Sequence, residues 1–426
     1  LLVLFPALRE FRKSDKPRLK KNNNMDKTEK LIKQLDDFNP GIRKKALQEL
    51  KALTDQGVVK TAPGRGWVNL HAHTFFSFNA YGFSPSRFLW EAFSLGLEMA
   101  GIVDFDVLDG LEETLRAAQI LGIKAEVGIE TRVFVKEYGK RVINSPGEPG
   151  IFYLMGTGFF RRPEKGSQAE ITLNSLRERA NSRNLLVIQK VNKYLNPVTV
   201  DYENDVLPLT PKGNATERHI LSAYDRKATA VFPEIKKRTN FWSETLKLPA
   251  ETVAEKLEKP QDFQELLRSK LMKGTGVGYV KPGPETFPSL EEVVETISAI
   301  KAIPTGTWLD GTNEAEKNPE ELLSFMKKKG VGILNLIPER NYNLKDPAEK
   351  TVKTANLKAV MTTARRLNIP VIAGTEMNKY GQPLVDNFDA PELQPYLEDF
   401  RKAGRLLWEH TKNLSFPRVV SGNPNL

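Results

Sequence analysis

No cysteine occurs among the 426 residues, and histidine appears only four times. The first absence excludes disulfides, thiolate zinc sites and cysteine nucleophiles, leaving His, Asp and Glu as the strong metal ligands on offer. Long apolar runs are absent too: the apolar stretches are short and strand-like, so no segment is expected to span a membrane. The residues after Met25 (Asp26, Lys27, Thr28, Glu29, Lys30) are too charged for a signal peptide, which makes a cytoplasmic location the simple expectation. With 40% hydrophobic and 27% charged residues, the chain has material for one large domain or two smaller ones.

The net charge of +10 invites a nucleic-acid reading, but half of it sits in residues 1–24, which hold seven Lys/Arg and two acids. That prefix has no initiator methionine and runs through Asn22-Asn23-Asn24 into Met25, so it reads as disordered or non-native. The remainder lacks interleaved basic and aromatic residues, and nucleic acid is not an expected partner.

From Lys27 to Gln56 apolar residues recur at helical spacing, and Asn39-Pro40-Gly41 divides them into two helices, a lead-in covering residues 25–64. A strand and helix alternation follows over 65–195. Ser84-Pro85 opens a helix with an N-cap and a proline in its first turn. Strands are expected at Gly101–Asp106, Lys124–Glu130, Phe152–Met155 and Leu185–Gln189, with a helix at Leu111–Leu121. Between 196 and 285 the rhythm lapses into polar, helical, proline-punctuated sequence, read as an insertion packed over a barrel mouth. It resumes over 286–426 with strands at Ile303–Trp308, Gly332–Ile337 and Val371–Glu376, then an amphipathic helix. Repeats of βα length whose apolar runs end in polar residues predict an α/β, TIM-like barrel with its site at the strands' C-terminal face. Within the insertion, Lys273-Gly274-Thr275-Gly276-Val277-Gly278 lacks the spacing of a phosphate loop and reads as a turn.

The chemistry concentrates at Val68-Asn69-Leu70-His71-Ala72-His73-Thr74, an apolar run that ends in two imidazoles. Alternate strand residues point the same way, so His71 and His73 can converge on one metal ion. The bland reading, two histidines satisfying backbone groups, weakens because Glu130 and Glu376 also end expected strands.

His71-Ala72-His73-Thr74-Phe75-Phe76-Ser77, Val103-Asp104, Gly128-Ile129-Glu130 and Gly374-Thr375-Glu376-Met377-Asn378 resemble, in order, the motifs of the PHP (polymerase and histidinol phosphatase) superfamily. The resemblance spans roughly residues 66–390 apart from the insertion. It implies a distorted (β/α)7 barrel and a metal-dependent phosphoesterase. Its first metal would be held by His71, His73, Glu130 and Glu376. The family's second-metal histidines fall on Tyr153 and on Gln189 or Lys190, and its third-metal histidines on Asn79, Phe105 and Asn378. One ligand set survives while the others are lost, which favours a single divalent ion, Zn2+, Mn2+ or Fe2+.

Further candidates lie near that site. Asp104 and Asp106 follow a strand and could move a proton or orient a ligating histidine; Asp106 could equally cap the next helix. In the dense polar segment Thr210–His219, His219 could serve catalysis or replace a missing ligand, although Thr216 as an N-cap with a satisfied His219 is the plain alternative. Arg218, Arg340 and Asn378 are candidate substrate-binding residues, the arginines for an anionic group. Asp310 is placed at the rim, and His410 reads as structural. A zinc amidohydrolase barrel also starts with His-x-His but needs further histidines that this chain lacks. The expectation is a metal-dependent hydrolase acting on a small, phosphorylated substrate. The alternatives are a non-catalytic metal- or ligand-binding protein of the same fold, or an enzyme of another reaction class on that barrel.

Overall fold

The computed structural model describes residues 23–415; Asn23 already opens a helix, and the rest of the expected prefix lies outside the described residues. Seven strands form one sheet in chain order: β1 (Val68–Ala72), β2 (Met99–Phe105), β3 (Lys124–Phe134), β4 (Ile151–Thr157), β5 (Ile303–Trp308), β6 (Ile333–Leu336) and β7 (Val371–Ala373). The sheet curls into a nearly closed α/β barrel. Its seam is sewn at one end, where Glu376 N donates to His71 O at 2.9 Å and His73 N to Glu376 O at 2.8 Å.

All neighbouring pairs are parallel except those of β4, which runs antiparallel to both β3 and β5. The cause is the connection. No α-helix crosses between β3 and β4; a loop with one short 3-10 turn reverses the chain, so β4 must point the other way. This reversal is the barrel's distortion.

The lead-in consists of α1 (Asn23–Gln34) and α2 (Pro40–Asp55), broken at Asn39, whose side chain caps Gly41 N at 2.8 Å. Leu35, Leu47 and Leu50 are fully buried, and α2 packs against α4 (Leu111–Leu121). Each such side chain contributes about 1.5–3 kcal/mol by leaving water. The α3 helix (Pro85–Ser94) has the expected Ser84 cap, and α4 ends on Gly122 in the left-handed conformation.

The expected strand at Leu185–Gln189 is absent. These residues lie in the 28-residue helix α5 (Gln168–Leu195), with Leu185, Leu186 and Gln189 exposed. A short apolar run fits a helix face as well as a strand, and here the capped start at Ser167 and the length decide for helix. The helix serves two cores: Leu173 and Leu176 join the barrel's, whereas Val187 to Leu195 open a second cluster that extends to Met272. That cluster is built by α6 (Glu217–Val231), α7 (Ile235–Leu246), α8 (Ala250–Leu257) and α9 (Pro260–Leu267), around Trp242 and Phe263. The chain then returns through α10 (Leu290–Ala299), α11 (Pro319–Lys328), the one-turn α12 (Glu339–Tyr342), α13 (Pro347–Arg366) and α14 (Leu397–Ser415). Among the described residues no helix is long and apolar enough to cross a membrane.

Candidate metal centre

His71 and His73 bracket the C-terminal end of β1, and Glu130 lies on β3 opposite Phe105, the last residue of β2. All three are at most 2% exposed. The imidazole Nε2 atoms stand 3.7 Å (His71) and 3.3 Å (His73) from Glu130 Oε2. Among the described residues they form the one group of His, Asp or Glu whose ligand atoms lie within 4.8 Å of one another. Both Nε2 atoms and Glu130 Oε2 are buried without a hydrogen-bond partner. Three orphaned donor atoms pointed at one another are costly in a folded protein unless a cation takes them. This donor set, two imidazoles and a carboxylate, suits Zn2+, Mn2+ or Fe2+.

The electrostatics agree. Burial alone would raise the Glu130 carboxyl, but the two imidazoles outweigh it and pull the pKa down to about 2. Burial would lower that of His71, yet the Glu130 and Glu376 carboxylates, with Asn335, lift it.

Each histidine is oriented from behind. The Nδ1 of His73 lies 3.3 Å from Ser77 Oγ, and that hydroxyl donates to Asp104 Oδ1 at 2.7 Å, so the oxygen is free to accept from Nδ1–H. Asp104 also accepts from Thr74 N (2.8 Å) and Thr74 Oγ1 (2.7 Å), fixing the turn after β1. It therefore positions His73 through Ser77. The Nδ1 of His71 lies 3.0 Å from the Asn335 amide nitrogen, while the amide oxygen is buried without a partner. A half-turn of the amide would let its oxygen accept from Nδ1–H, leaving the Nε2 lone pair of His71 for a cation. Neither Ser77 nor Asn335 was given a role from sequence, although Ser77 closes the first motif. For Asn335 the signal was present: one amide inside the apolar run Ile333–Leu336.

Glu376 stands beside the cluster rather than within it. Its Oε2 accepts from Arg340 Nη2 at 3.0 Å and from Gln382 Nε2 at 3.1 Å. Burial would raise its pKa, but Arg340 and His71 hold it below the usual value. Glu376 and Met377 both have positive φ (58° and 54°), a strained pair that turns the chain back after β7 and seats Glu376 against β1. The turn demands Gly374, where a Cβ would collide with the His71 backbone.

Positions that the resemblance assigned to further metals have other work. Phe105 stacks on His73, with ring centroids 4.2 Å apart. Asn79 donates to His73 O at 2.9 Å and accepts from Tyr81 N at 2.8 Å. Asn378 is half-buried. Tyr153 is half-buried on β4, among the charges of Arg132, Glu130 and Glu148. Gln189 and Lys190 lie on the exposed face of α5, so the strand that assigned them a ligand's place does not exist.

Asp106, at positive φ (61°), accepts from Thr131 Oγ1 at 2.6 Å and lies outside the metal-ligand group. In the insertion, Arg218 pairs with Glu265 at 2.5 Å, and His219 Nδ1 accepts from Thr216 N at 3.1 Å, capping α6. Burial holds the His219 pKa down to about 4, so the ring is neutral. The insertion nevertheless touches the mouth. Buried Asn214 donates to Phe76 O (3.0 Å) and Phe105 O (2.8 Å), joining the loops after β1 and β2, and His219 meets Phe78 edge-on. Asp310 pairs with Lys353 at 2.9 Å, and His410 lies 2.7 Å from Lys301 O.

No protein-family model matches the sequence, and no curated protein matches it. Among solved structures, a "putative metal-dependent phosphoesterase" of Bifidobacterium adolescentis is similar over 79% of this chain and 97% of its own, with 16% identity and a TM-score of 0.48. An amidohydrolase of Chromobacterium violaceum, with sulfate bound and no metal, is similar over 79% and 96%, with 14% identity and a TM-score of 0.49.

Proposed function

We propose that this chain is a metal-dependent hydrolase of the PHP type, a phosphoesterase that acts on a small anionic substrate at a mononuclear centre. The observation that carries the reading is the convergence of His71 Nε2, His73 Nε2 and Glu130 Oε2, all buried and none with a hydrogen-bond partner outside the group. These three residues would hold the ion. Glu376, whose two hydrogen bonds both fall on Oε2, would add its other oxygen as the fourth ligand. A divalent ion bound there supplies Lewis acidity towards a phosphoryl oxygen.

The protein's own groups do the rest. Asp104 and Ser77 hold His73, and Asn335 holds His71, so the ligands need no reorganisation. Arg340, with a side chain 42% exposed, lies between the buried cluster and solvent, where its fork can meet an anionic group. Loss of the other ligand positions to Phe105, Asn79 and Tyr153 supports one ion rather than two or three.

The test is phosphate release from a broad panel of phosphomonoesters and diesters with added Mn2+ or Zn2+, run beside His71→Ala and a metal analysis. Metal-stimulated release that His71→Ala abolishes is expected, with one ion per chain. Equal release from both proteins, or two or more ions bound, would sink this reading. Stoichiometric metal binding without turnover would leave a binding protein on the same barrel.

A further inference from the structure

Arg179 and Arg183 stand one turn apart on α5 and line a shallow, open crevice between that helix, Asp106 just after β2 and Thr131 within β3. Asp106 and Thr131 form its opposite wall, and Phe287 closes one side. Neither arginine makes an ion pair or a hydrogen bond among the described residues. Their neighbours are all taken. Arg177 pairs with Asp109 at 2.5 Å, Arg132 with Glu148 at 3.2 Å, and Arg268 and Lys273 share Glu217 at 3.2 and 3.0 Å.

Arg183 lies 5.2 Å from the centroid of the Phe287 ring, which Arg132 already covers from 4.4 Å, so two guanidinium groups crowd one aromatic ring. Burial and the charge of Arg132 push the Arg183 pKa down to about 10, outweighing the attraction of Asp106 and Glu217. Asp106, the one acid lining the crevice, lies outside ion-pair distance of both arginines and is bonded to Thr131. Two forked cations beside open space, with no acid bound to either, suit a ligand that brings two negative charges.

We propose that this crevice is a binding subsite for a tetrahedral dianion, inorganic phosphate or the phosphate group of a ligand, gripped by Arg183 and Arg179. Thr131 follows Glu130 on β3, so strand alternation sets the subsite on the opposite face of the barrel wall from the metal ligands. A role for it in substrate handling rests on the hydrolase reading; anion binding itself does not.

The experiment is calorimetric titration of inorganic phosphate into the full chain, stripped of metal with a chelator, at low ionic strength. Arg183→Met is expected to weaken binding at least tenfold and Arg179→Met several-fold, while His71→Ala binds as the wild type does. If Arg183→Met melts early, Arg183→Lys keeps the charge without the fork and is expected to show an intermediate loss. Unchanged affinity in the arginine variants, loss of binding in His71→Ala, or no binding to the wild type in the millimolar range would overturn the subsite. Acetate binding as tightly as phosphate would overturn its preference for a dianion. Arginine-dependent binding without metal-dependent turnover would leave the subsite standing and remove the hydrolase reading alone.

Discussion

Asn335 on β6 reaches past β7 to lie 3.0 Å from Nδ1 of His71 on β1, a contact between residues 264 positions apart. It gives His71 a partner on the side away from Glu130. Replacing Asn335 with leucine, nearly isosteric but unable to hydrogen bond, is expected to weaken metal binding about 10- to 100-fold. Competitive metal titration checks this, and an unchanged affinity would show that Asn335 does not orient the ring.

Asp104 is expected to matter for stability before chemistry. Asp104→Ala leaves Thr74 N, Thr74 Oγ1 and Ser77 Oγ without their acceptor in a buried turn. The cost should be on the order of 3 kcal/mol in urea unfolding, with weaker metal binding because His73 loses its anchor. A variant of wild-type stability would contradict the assignment.

Gly374→Ala forces the β7 turn away from β1, since the added methyl meets the His71 backbone. A loss of about 1–3 kcal/mol is expected, together with weaker metal binding, because the clash falls on a proposed ligand residue. Thermal melting with and without metal separates the two effects.

Glu126 lies on β3 on the same face as Glu130, with Oε2 accepting from Gly158 N at 2.8 Å and Oε1 without a partner. Burial lifts its pKa from 4.5 to about 8 in the folded chain. Its contribution is fully present below pH 4.5 and is lost as pH rises towards about 8, because the unfolded chain releases the proton first. Glu126→Gln should therefore be more stable than the wild type at pH 8, by a few kcal/mol in order of magnitude, and differ little at pH 4.5. Parallel unfolding curves across that window would refute it.

The βα rhythm, the two lead-in helices and the pairing of His71 with His73 were legible because period-2 and period-3.6 patterns, caps and prolines act locally. Glu130 was legible as a polar residue in a buried strand. The helix at Leu185–Gln189 was misread because five apolar and amide residues carry no period of their own; the capped, 28-residue α5 around them decides.

Sequence alone determined which donors exist: without cysteine, a buried cation in this chain must be held by imidazole and carboxylate. It also placed the two imidazoles at the end of β1, whereas Glu130, expected at a strand end, lies within β3, which runs on to Phe134, and Glu376 lies three residues past β7. Only the tertiary structure decided that Glu376 faces Arg340 and Gln382, that Asn335 and Ser77 stand behind the two imidazoles, and that Arg183 makes no ion pair among the described residues. The physical reason is range. Hydrophobic period and capping are set by residues within a turn or two, whereas a hydrogen bond across a barrel depends on strand register and curvature, which no local segment encodes.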